Sequence, residues 1–206
     1  MAKGFMDIAT TPSVEAAQIA NGSREFNAEM APRRVFDRFD EDAVDFIATR
    51  DSFYIATVSE TGWPYIQHRG GPAGFLKVLD ERTLGIADFA GNRQYLTLGN
   101  LAASDKAALF LMDYRRRGRM KIFARAEAVD LQRDPDLAAR LATPGYRARI
   151  ERGLLFRLEA YDWNCSQHIT PRYTTAEVEQ AVAPLRERLQ ALEAENAALR
   201  GASVSA

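Results

Sequence analysis

The segment from Asp88 to Leu96 brings polar and charged side chains together where a strand-like stretch ends. A glycine is followed by Asn92, Arg93 and Gln94, and this pattern predicts a short helix with Arg93 in its first turn. Backbone N–H groups at a helix N-terminus attract anions, and a cation there is unfavourable unless an anion is bound. The segment therefore favours a phosphate site, and a solvated Arg93, or one paired with Asp88, stays open as the alternative.

A second polar group, Gln67, His68 and Arg69, lies at the end of another strand-like stretch. It runs into a glycine-rich bend over residues 70–74, where the lack of side chains would let a planar ligand approach the backbone. Arg69 would add a further charge for a phosphate. The bend has the spacing of neither a Walker loop nor a dinucleotide fingerprint, so an ordinary turn is the alternative.

Residues 115–121 carry four arginines and one lysine, a density typical of nucleic-acid surfaces. The whole chain, however, has 27 basic and 28 acidic side chains and a net charge of −1, so no overall field attracts nucleic acid or an anionic membrane. Gly118 lies between two strand patterns and indicates a solvated hairpin turn. Arg119 is the member of this cluster best placed to point into a groove.

Residues 163–172 are dense in hydrogen-bonding groups, and Cys165 and His168 have a spacing that metal ligands can show. One cysteine and two histidines are too few for a typical structural zinc site, so we expect no metal. A Cys–His nucleophile pair would need an oxyanion motif, which we do not find.

A single cysteine permits no intrachain disulfide and fits a reducing compartment. Lys3, Asp7 and Glu15 interrupt the N-terminal segment, so a secretory signal is not expected. No run of eighteen apolar residues occurs, which argues against a spanning helix. We therefore expect a cytoplasmic protein that binds neither membrane nor nucleic acid.

The elements that would position these side chains have mainly β patterns. β-Branched and aromatic runs are separated by short turns, and apolar and charged residues alternate in one of them. The clearest runs are Phe53–Val58, Tyr65–Arg69, Lys106–Met112, residues 119–127 and Leu154–Tyr161. Few long helices lie between them, so the pattern predicts a six-stranded antiparallel barrel with flanking helices rather than a parallel sheet.

Three regions follow from these patterns. Residues 1–39 form an N-terminal arm with a short helix, and residues 40–172 form the barrel, which opens with a helix capped by Asp40. Residues 173–206 form a C-terminal helix and tail. In that helix, apolar residues and one asparagine recur by alternating steps of four and three, which predicts a coiled-coil seam. The members are Val178, Val182, Leu185, Leu189, Leu192, Asn196 and Leu199.

Two questions about the C-terminal helix stay open at this point. The alternative to a coiled coil is one amphipathic helix packed on its own barrel. Pro184 lies outside the seam but removes a helix hydrogen bond, so we expect it to kink the helix or to make Leu185 the first helical residue.

Several of these stretches occur in the order of a known family. They are a helix, then Phe53-Tyr54-Ile55-Ala56-Thr57-Val58, Gly62-Trp63-Pro64-Tyr65, Asp88-Phe89-Ala90-Gly91-Asn92-Arg93-Gln94 and Arg119-Met120-Lys121-Ile122. Over roughly residues 40–172 the chain resembles the pyridoxamine 5'-phosphate oxidase-like, FMN-binding split-barrel family. Residues 67–72 and 163–172 are similar to its flavin-nucleotide-binding branch. The resemblance implies an antiparallel split β-barrel that binds FMN at a homodimer interface.

The resemblance also implies a set of cofactor-binding residues. The FMN phosphate would be held by the strand with Gln67, His68 and Arg69 and by the turn with Asn92, Arg93 and Gln94. Asp88 would lie beside the ribityl chain or the isoalloxazine edge, and Arg119 would lie on the strand where the family uses a flavin-contacting polar residue. Trp163, Gln167 and Arg172 would approach the flavin from the other subunit.

The chain departs from the oxidase itself in two places. The Arg-Leu-His-x-Arg stretch that reads the substrate is absent, and residues 164–172 replace it. Gln94 stands where the oxidase has a lysine beside the turn arginine, which removes a charge. We therefore expect an FMN-dependent oxidoreductase that is not an authentic pyridoxamine 5'-phosphate oxidase.

The expected reaction is hydride transfer between flavin and a reduced nicotinamide or a small organic substrate. Because the flavin would perform this chemistry, no catalytic side chain is assigned. The alternative is a non-catalytic flavin- or nucleotide-binding carrier or sensor. Deazaflavin F420, which related split barrels use, is the alternative cofactor.

Overall fold

A computed structural model describes residues 3–33 and 35–204 of the chain. These residues fall into two compact units. The first holds the residues up to Asp113 together with Gly118–Gln167, and the second holds Tyr114–Arg117 and the residues from His168 onward.

The first unit is built on one antiparallel sheet of seven strands. The strands are β1 Ser52–Val58, β2 Pro64–Gly70, β3 Lys77–Asp80, β4 Thr83–Phe89, β5 Lys106–Asp113, β6 Gly118–Val129 and β7 Ile150–Trp163. This confirms the mainly β fold class. The sheet has seven strands, close to the six predicted, and the four-residue β3 is an edge strand that pairs with β4 alone.

The order of strands in the sheet is β2-β1-β5-β6-β7-β4-β3. β2 and β4 are therefore distant in this order, yet the Arg69 side chain of β2 forms an ion pair with Asp88 of β4. Only a sheet that curls on itself brings these strands together. Among the described residues no backbone ladder joins β2 to β4 or β3, so side chains close the barrel at this split.

Short helices and the long C-terminal helix complete the structure. They are α1 Phe5–Ala9, α2 Pro12–Ala20, α3 Arg24–Met30, the 3-10 helix Ala31–Arg33, α4 Glu41–Ala48, α5 Leu96–Ala103, α6 Pro135–Leu141 and α7 Thr175–Val204. The predicted cap of α4 is confirmed, since the Asp40 carboxylate accepts a hydrogen bond from the Ala43 N–H at 2.8 Å. Among these helices of the described chain, none is long and apolar enough to cross a membrane.

The long helix α7 belongs to the second unit, and its start differs from the expectation that Leu185 begins it. The helix begins at Thr175 and continues through Pro184. The Thr174 hydroxyl accepts from the Glu177 N–H, and the Glu177 carboxylate accepts from the Thr174 N–H at 2.8 Å. This capping box explains why the helix starts nine residues before its proline.

The barrel core lies on the inner face of the sheet. Buried and partly exposed residues alternate along β1 and β5, so Phe53 and Ile55 face Leu109 and Leu111 inside the barrel. Ile47 of α4 is also fully buried in this core. The outer face is partly covered by the N-terminal arm.

The arm packs on the outer face through aromatic contacts. The Phe5 ring of α1 stacks on Phe123 of β6 with 4.2 Å between the ring centroids, and the Lys121 ammonium lies over the Phe5 ring. Further along, the arm packs against the core instead, because Phe36 stacks on the buried core residue Tyr161 of β7 and its carbonyl accepts from the Tyr161 N–H at 3.0 Å.

A buried ion pair connects the end of α4 to the end of β5. The Arg50 guanidinium donates to the Asp113 carboxylate at 2.8 Å and to the Met112 carbonyl at 2.7 Å. It also donates to the Phe46 carbonyl at 3.0 Å. Arg50 and Asp113 are 9% and 7% exposed, so both charges depend on these partners rather than on water.

Replacing Arg50 by Ala should therefore lower the free energy of unfolding by about 3–5 kcal/mol, because it removes the buried ion pair with Asp113 together with the hydrogen bonds to the Met112 and Phe46 carbonyls. Urea denaturation followed by circular dichroism measures the loss. The control is Arg133→Ala, which removes an exposed ion pair with Asp130 and should cost less than about 1 kcal/mol. Equal losses in the two variants would show that the buried pair is not the stronger contact.

Candidate functional site

A cleft of about 180 Å³ lies on the first unit between β2, the end of β4 and the start of α5. Six of the predicted cofactor-binding residues line it together, although they come from separate stretches of the sequence. They are Gln67, Arg69, Asp88, Asn92, Arg93 and Gln94. The structure thus brings the two polar groups of the sequence to one place.

The alternation of side chains along β2 decides which of its residues face the cleft. Tyr65, Gln67 and Arg69 are half-buried and line it. His68 points to the opposite face of the strand, where its ring meets Tyr54 edge-on at 5.5 Å. His68 therefore does not join Gln67 and Arg69, and the period of a strand is the physical reason.

The charges of the cleft are centred on Asp88, which is 8% exposed. Arg69 Nη1 lies 2.5 Å from Asp88 Oδ1, and Arg152 Nε lies 3.7 Å from Asp88 Oδ2. Burial raises the pKa of Asp88 above its ordinary value of 3.8, and the guanidinium groups of Arg69 and Arg152 offset only part of this rise. The Arg69 Nε atom is buried and makes no hydrogen bond.

The loop between β4 and α5 differs from the sequence prediction. Helix α5 begins at Leu96, so Arg93 lies in the loop before the helix and not in its first turn. Arg93 and Tyr95 have positive φ angles of 61° and 54°, and residues with this backbone conformation cannot belong to a right-handed helix. Local sequence patterns miss this because both residues are non-glycine.

The same loop is held by polar contacts that leave Arg93 exposed. The Asn92 side chain accepts from the Gln94 N–H at 3.1 Å, and the Tyr95 hydroxyl donates to Glu151 at 3.3 Å. Among the described residues Arg93 has neither a hydrogen bond nor an ion pair. It does not pair with Asp88, which was one of the two alternatives.

The N-terminus of α5 faces the cleft without a side-chain cap from any described residue. Thr97 in its first turn is buried and donates from Oγ1 to Gln67 Oε1 at 2.7 Å, so this bond fixes the helix end against β2. The first backbone N–H groups of a helix have no partners within the helix. An uncapped helix end beside Arg69 and Arg93 is a site for an anion.

Sequence reasoning missed two charged residues at this site, Glu151 and Arg152 of β7. Glu151 lines the cleft, and its carboxylate accepts from Arg149 and Arg152. Arg152 lies opposite Asp88 in the β4–β7 ladder. Only the register of this ladder relates residues so distant in sequence, and no local pattern signals it.

Four of the other predicted residues lie outside this cleft. Arg119 is the second residue of β6, on its outer face, and its Nε is buried without a hydrogen bond. Trp163 ends β7 and packs its ring edge-on against Phe46, Gln167 is exposed, and Arg172 belongs to the second unit, where its guanidinium lies over the Tyr114 ring. Contact of Trp163, Gln167 and Arg172 with a cofactor bound by another subunit stays a prediction.

The glycine-rich bend after β2 has a packing role. A Cβ atom on Gly71 would lie 2.8 Å from Phe75 Cγ, so a side chain there would collide with a buried core ring. Gly74 has a φ of 77°, which favours glycine. The alternative of an ordinary turn therefore accounts for these glycines.

The remaining sequence candidates are not among the residues that line the cleft. Arg115 in the β5–β6 hairpin is exposed and pairs with Glu177 at 3.2 Å. Cys165 is exposed as a free thiol. Throughout residues 3–33 and 35–204, no group of three or more His, Cys, Asp or Glu residues is placed to hold a metal ion.

Comparison with known proteins gives the family. A family model described as pyridoxamine 5'-phosphate oxidase matches residues 39–160. This range is more than half of the chain, so the protein belongs to the pyridoxamine 5'-phosphate oxidase-like family of FMN-binding split barrels. No curated protein matches the chain.

Several solved structures are similar to this chain. HupZ from group A Streptococcus is 15% identical, with 65% of this chain and 98% of that chain covered and a TM-score of 0.48. An FMN-binding protein from Syntrophomonas wolfei is 17% identical, with 72% and 97% covered and a TM-score of 0.45. An F420 reductase is 17% identical, with 56% and 93% covered and a TM-score of 0.39.

The raised pKa of Asp88 predicts a pH dependence of stability. Above pH 3.8 the unfolded chain releases the proton of the Asp88 carboxyl group, while the folded protein still binds it. The contribution of this group to the free energy of unfolding is therefore greatest below pH 3.8. It is lost as the pH rises through the folded pKa. Asp88→Asn has no such titration. As the pH rises above 3.8, the free energy of unfolding of the unmodified protein should therefore fall relative to that of Asp88→Asn.

Urea denaturation of both proteins between about pH 4 and pH 7 measures this difference. The exposed Asp130→Asn serves as the control, because its carboxylate is already solvated. A constant difference between Asp88→Asn and the unmodified protein across this range would contradict the assignment.

Proposed function

We propose that the protein is an FMN-binding oxidoreductase whose cofactor phosphate binds in the cleft between β2 and α5. The observation that carries this proposal is the buried Nε of Arg69, which makes no hydrogen bond beside an uncapped helix end. A buried donor without a partner costs free energy, so a native site of this kind is suited to an acceptor supplied by a ligand. A phosphate has three acceptor oxygens.

The charges near the cleft support an anionic ligand. The guanidinium groups of Arg69, Arg93 and Arg152 outnumber the carboxylates of Asp88 and Glu151. Arg93 is exposed and without a partner among the described residues, so binding a phosphate would cost it no existing contact. Charge-assisted bonds from a guanidinium to a phosphate are among the stronger hydrogen bonds in proteins.

The residues present fit FMN better than a dinucleotide. The cleft offers one anion site at one helix end, and the sequence has no dinucleotide fingerprint. Arg69, Arg93 and the first N–H groups of α5 would hold the phosphate. Deazaflavin F420 is the alternative cofactor, and the absorbance of the extracted ligand separates the two.

Bound FMN would supply the hydride-transfer chemistry through its isoalloxazine ring. The chain's own part is to bind and orient the cofactor. Asp88 holds Arg69 in place, and the Thr97–Gln67 bond fixes the helix end against the strand. Both carboxylates of the cleft are paired with arginines, so neither is free to act as a base.

We also propose that two copies of the barrel together form the complete site. At about 180 Å³ the cleft of one chain is smaller than the roughly 300 Å³ at which small-molecule pockets begin. The hairpin of β1 and β2, which lines the cleft through Gln67 and Arg69, also carries exposed apolar side chains: Trp63 is 76% and Ile66 is 65% exposed. A second copy would cover them and bring its Trp163, as the family resemblance implies.

The exposed free thiol supports a reducing, cytoplasmic location.

Replacing Arg93 by Ala should weaken FMN binding by about 1.5–3 kcal/mol, or one to two decades in Kd, because it removes a charge-assisted hydrogen bond. Fluorescence titration of apo-protein with FMN measures the change. Arg133→Ala removes an arginine outside the cleft and should leave Kd unchanged. If Arg93→Ala binds FMN as tightly as the control, Arg93 does not belong to the site.

The proposed activity predicts that the purified protein carries a flavin. NADH or NADPH should reduce, and so bleach, this bound flavin faster than it reduces FMN that is free in solution. Absorbance spectroscopy follows this reaction, and bleaching at the rate of free FMN would instead favour the carrier or sensor. No pyridoxal phosphate should form from pyridoxamine phosphate, because the substrate-reading stretch is absent. Turnover near the enzyme median of about 10 per second would overturn that expectation.

A further inference from the structure

Helix α7 carries a row of mostly apolar and mostly exposed side chains between Val178 and Leu199. Leu185 and Leu189 are 68% and 56% exposed, and Val178, Leu192 and Leu199 are also exposed. An ordered apolar stripe of this length, open to water, is the form that a coiled-coil strand takes before it meets its partner.

The heptad positions of this stripe are set by its spacing. Val182, Leu189 and Asn196 occupy position a, and Val178, Leu185, Leu192 and Leu199 occupy position d. Pro184 then lies at position c, away from the seam, and the helix runs through it. The stripe from Val178 to Leu199 is about 32 Å long at 1.5 Å per residue.

The charged residues that flank the seam point to a second helix. Arg188 and Glu195 occupy position g, and Glu193 and Arg200 occupy position e. None of these four has an opposite charge three or four positions away along α7, where ion pairs within one helix form. Their charges are therefore not used within the helix.

We propose that α7 forms a parallel, in-register, two-stranded coiled coil with α7 of a second copy of this chain. In this arrangement a residue at g faces the residue at e five positions later on the other helix. Arg188 then faces Glu193 of the second copy, and Glu195 faces its Arg200. Symmetry forms each pair twice, so these four charges all find opposite partners.

Asn196 distinguishes the parallel arrangement from an antiparallel one. The flanking charges could also pair antiparallel, with Arg188 facing Glu195 and Arg186 facing Glu193. That alignment places Asn196 opposite Leu185 in the seam, which buries an amide against an apolar side chain. In the parallel register the two Asn196 amides face each other and can bond, which is the known use of asparagine at position a.

Spin-label distances in the full chain test the orientation. In a Cys165→Ser background, Gln180→Cys and Ala194→Cys each place one label at position f on the outer side of α7. A parallel in-register pair gives the same distance at both positions. The antiparallel pair separates the labels at residue 180 by about 32 Å along the axis but those at residue 194 by only about 10 Å. Unequal distances, or no distance between chains, would overturn the proposal.

A charge-reversal series tests the pairing itself, with the distance at residue 194 as the readout. Arg188→Glu places like charges opposite each other. It should reduce the fraction of molecules that show the distance between the two chains of the parallel pair. Adding Glu193→Arg should restore it, because the pair is then reversed and again attractive. In the antiparallel alignment the double variant instead creates repulsion with Arg186 and Glu195, so failure of this rescue would also overturn the proposal.

These experiments do not depend on the cofactor. Flavin titration tests the cleft of the first unit, whereas the label distances test α7 alone. If one of the two proposals fails its test, the result of the other test still stands.

Discussion

The ion pair between Arg69 and Asp88 joins two strands that are far apart in the order of the sheet, and the candidate site depends on it. Backbone pairing holds β2 to β1 and β4 to β7, but side chains make the contact across the split. Because Asp88 is buried, its charge needs the two neighbouring guanidinium groups. The same requirement holds Arg69 in the cleft, where its Nε has no hydrogen bond.

The loop before α5 adds a second constraint on the site. Two residues with positive φ, Arg93 and Tyr95, each cost of the order of 1 kcal/mol in a backbone of L-amino acids. The Asn92–Gln94 bond and the contact of Tyr95 with Glu151 hold this conformation. Strain of this kind is typical of ligand sites, and here it turns the chain so that the exposed Arg93 reaches the cleft while the helix end stays open.

Local patterns were sufficient for the parts of the structure that local forces decide. Alternating side chains predicted the strands, and the carboxylate of Asp40 predicted the start of α4. The grouping of Arg69 with Arg93 came from the family resemblance. The predicted start of α5 was wrong, because positive φ angles at non-glycine residues leave no sequence signal. Arg152 was missed because its place beside Asp88 follows from the register between β4 and β7. The side of β2 on which His68 lies follows from the twofold alternation and could have been predicted.

The distribution of charge explains how a nearly neutral chain can support two different kinds of recognition. The net charge of −1 gives no overall attraction for anions, so binding must come from local imbalance. In the cleft, burial forces two carboxylates to pair with arginines, and the arginines in excess remain for a ligand. At Arg188, Glu193, Glu195 and Arg200 of α7 the two signs are balanced, but opposite charges lie five residues apart, which prevents pairing within the helix. Excess charge thus suits a small anion, whereas balanced and unpaired charge suits a second copy of the same surface.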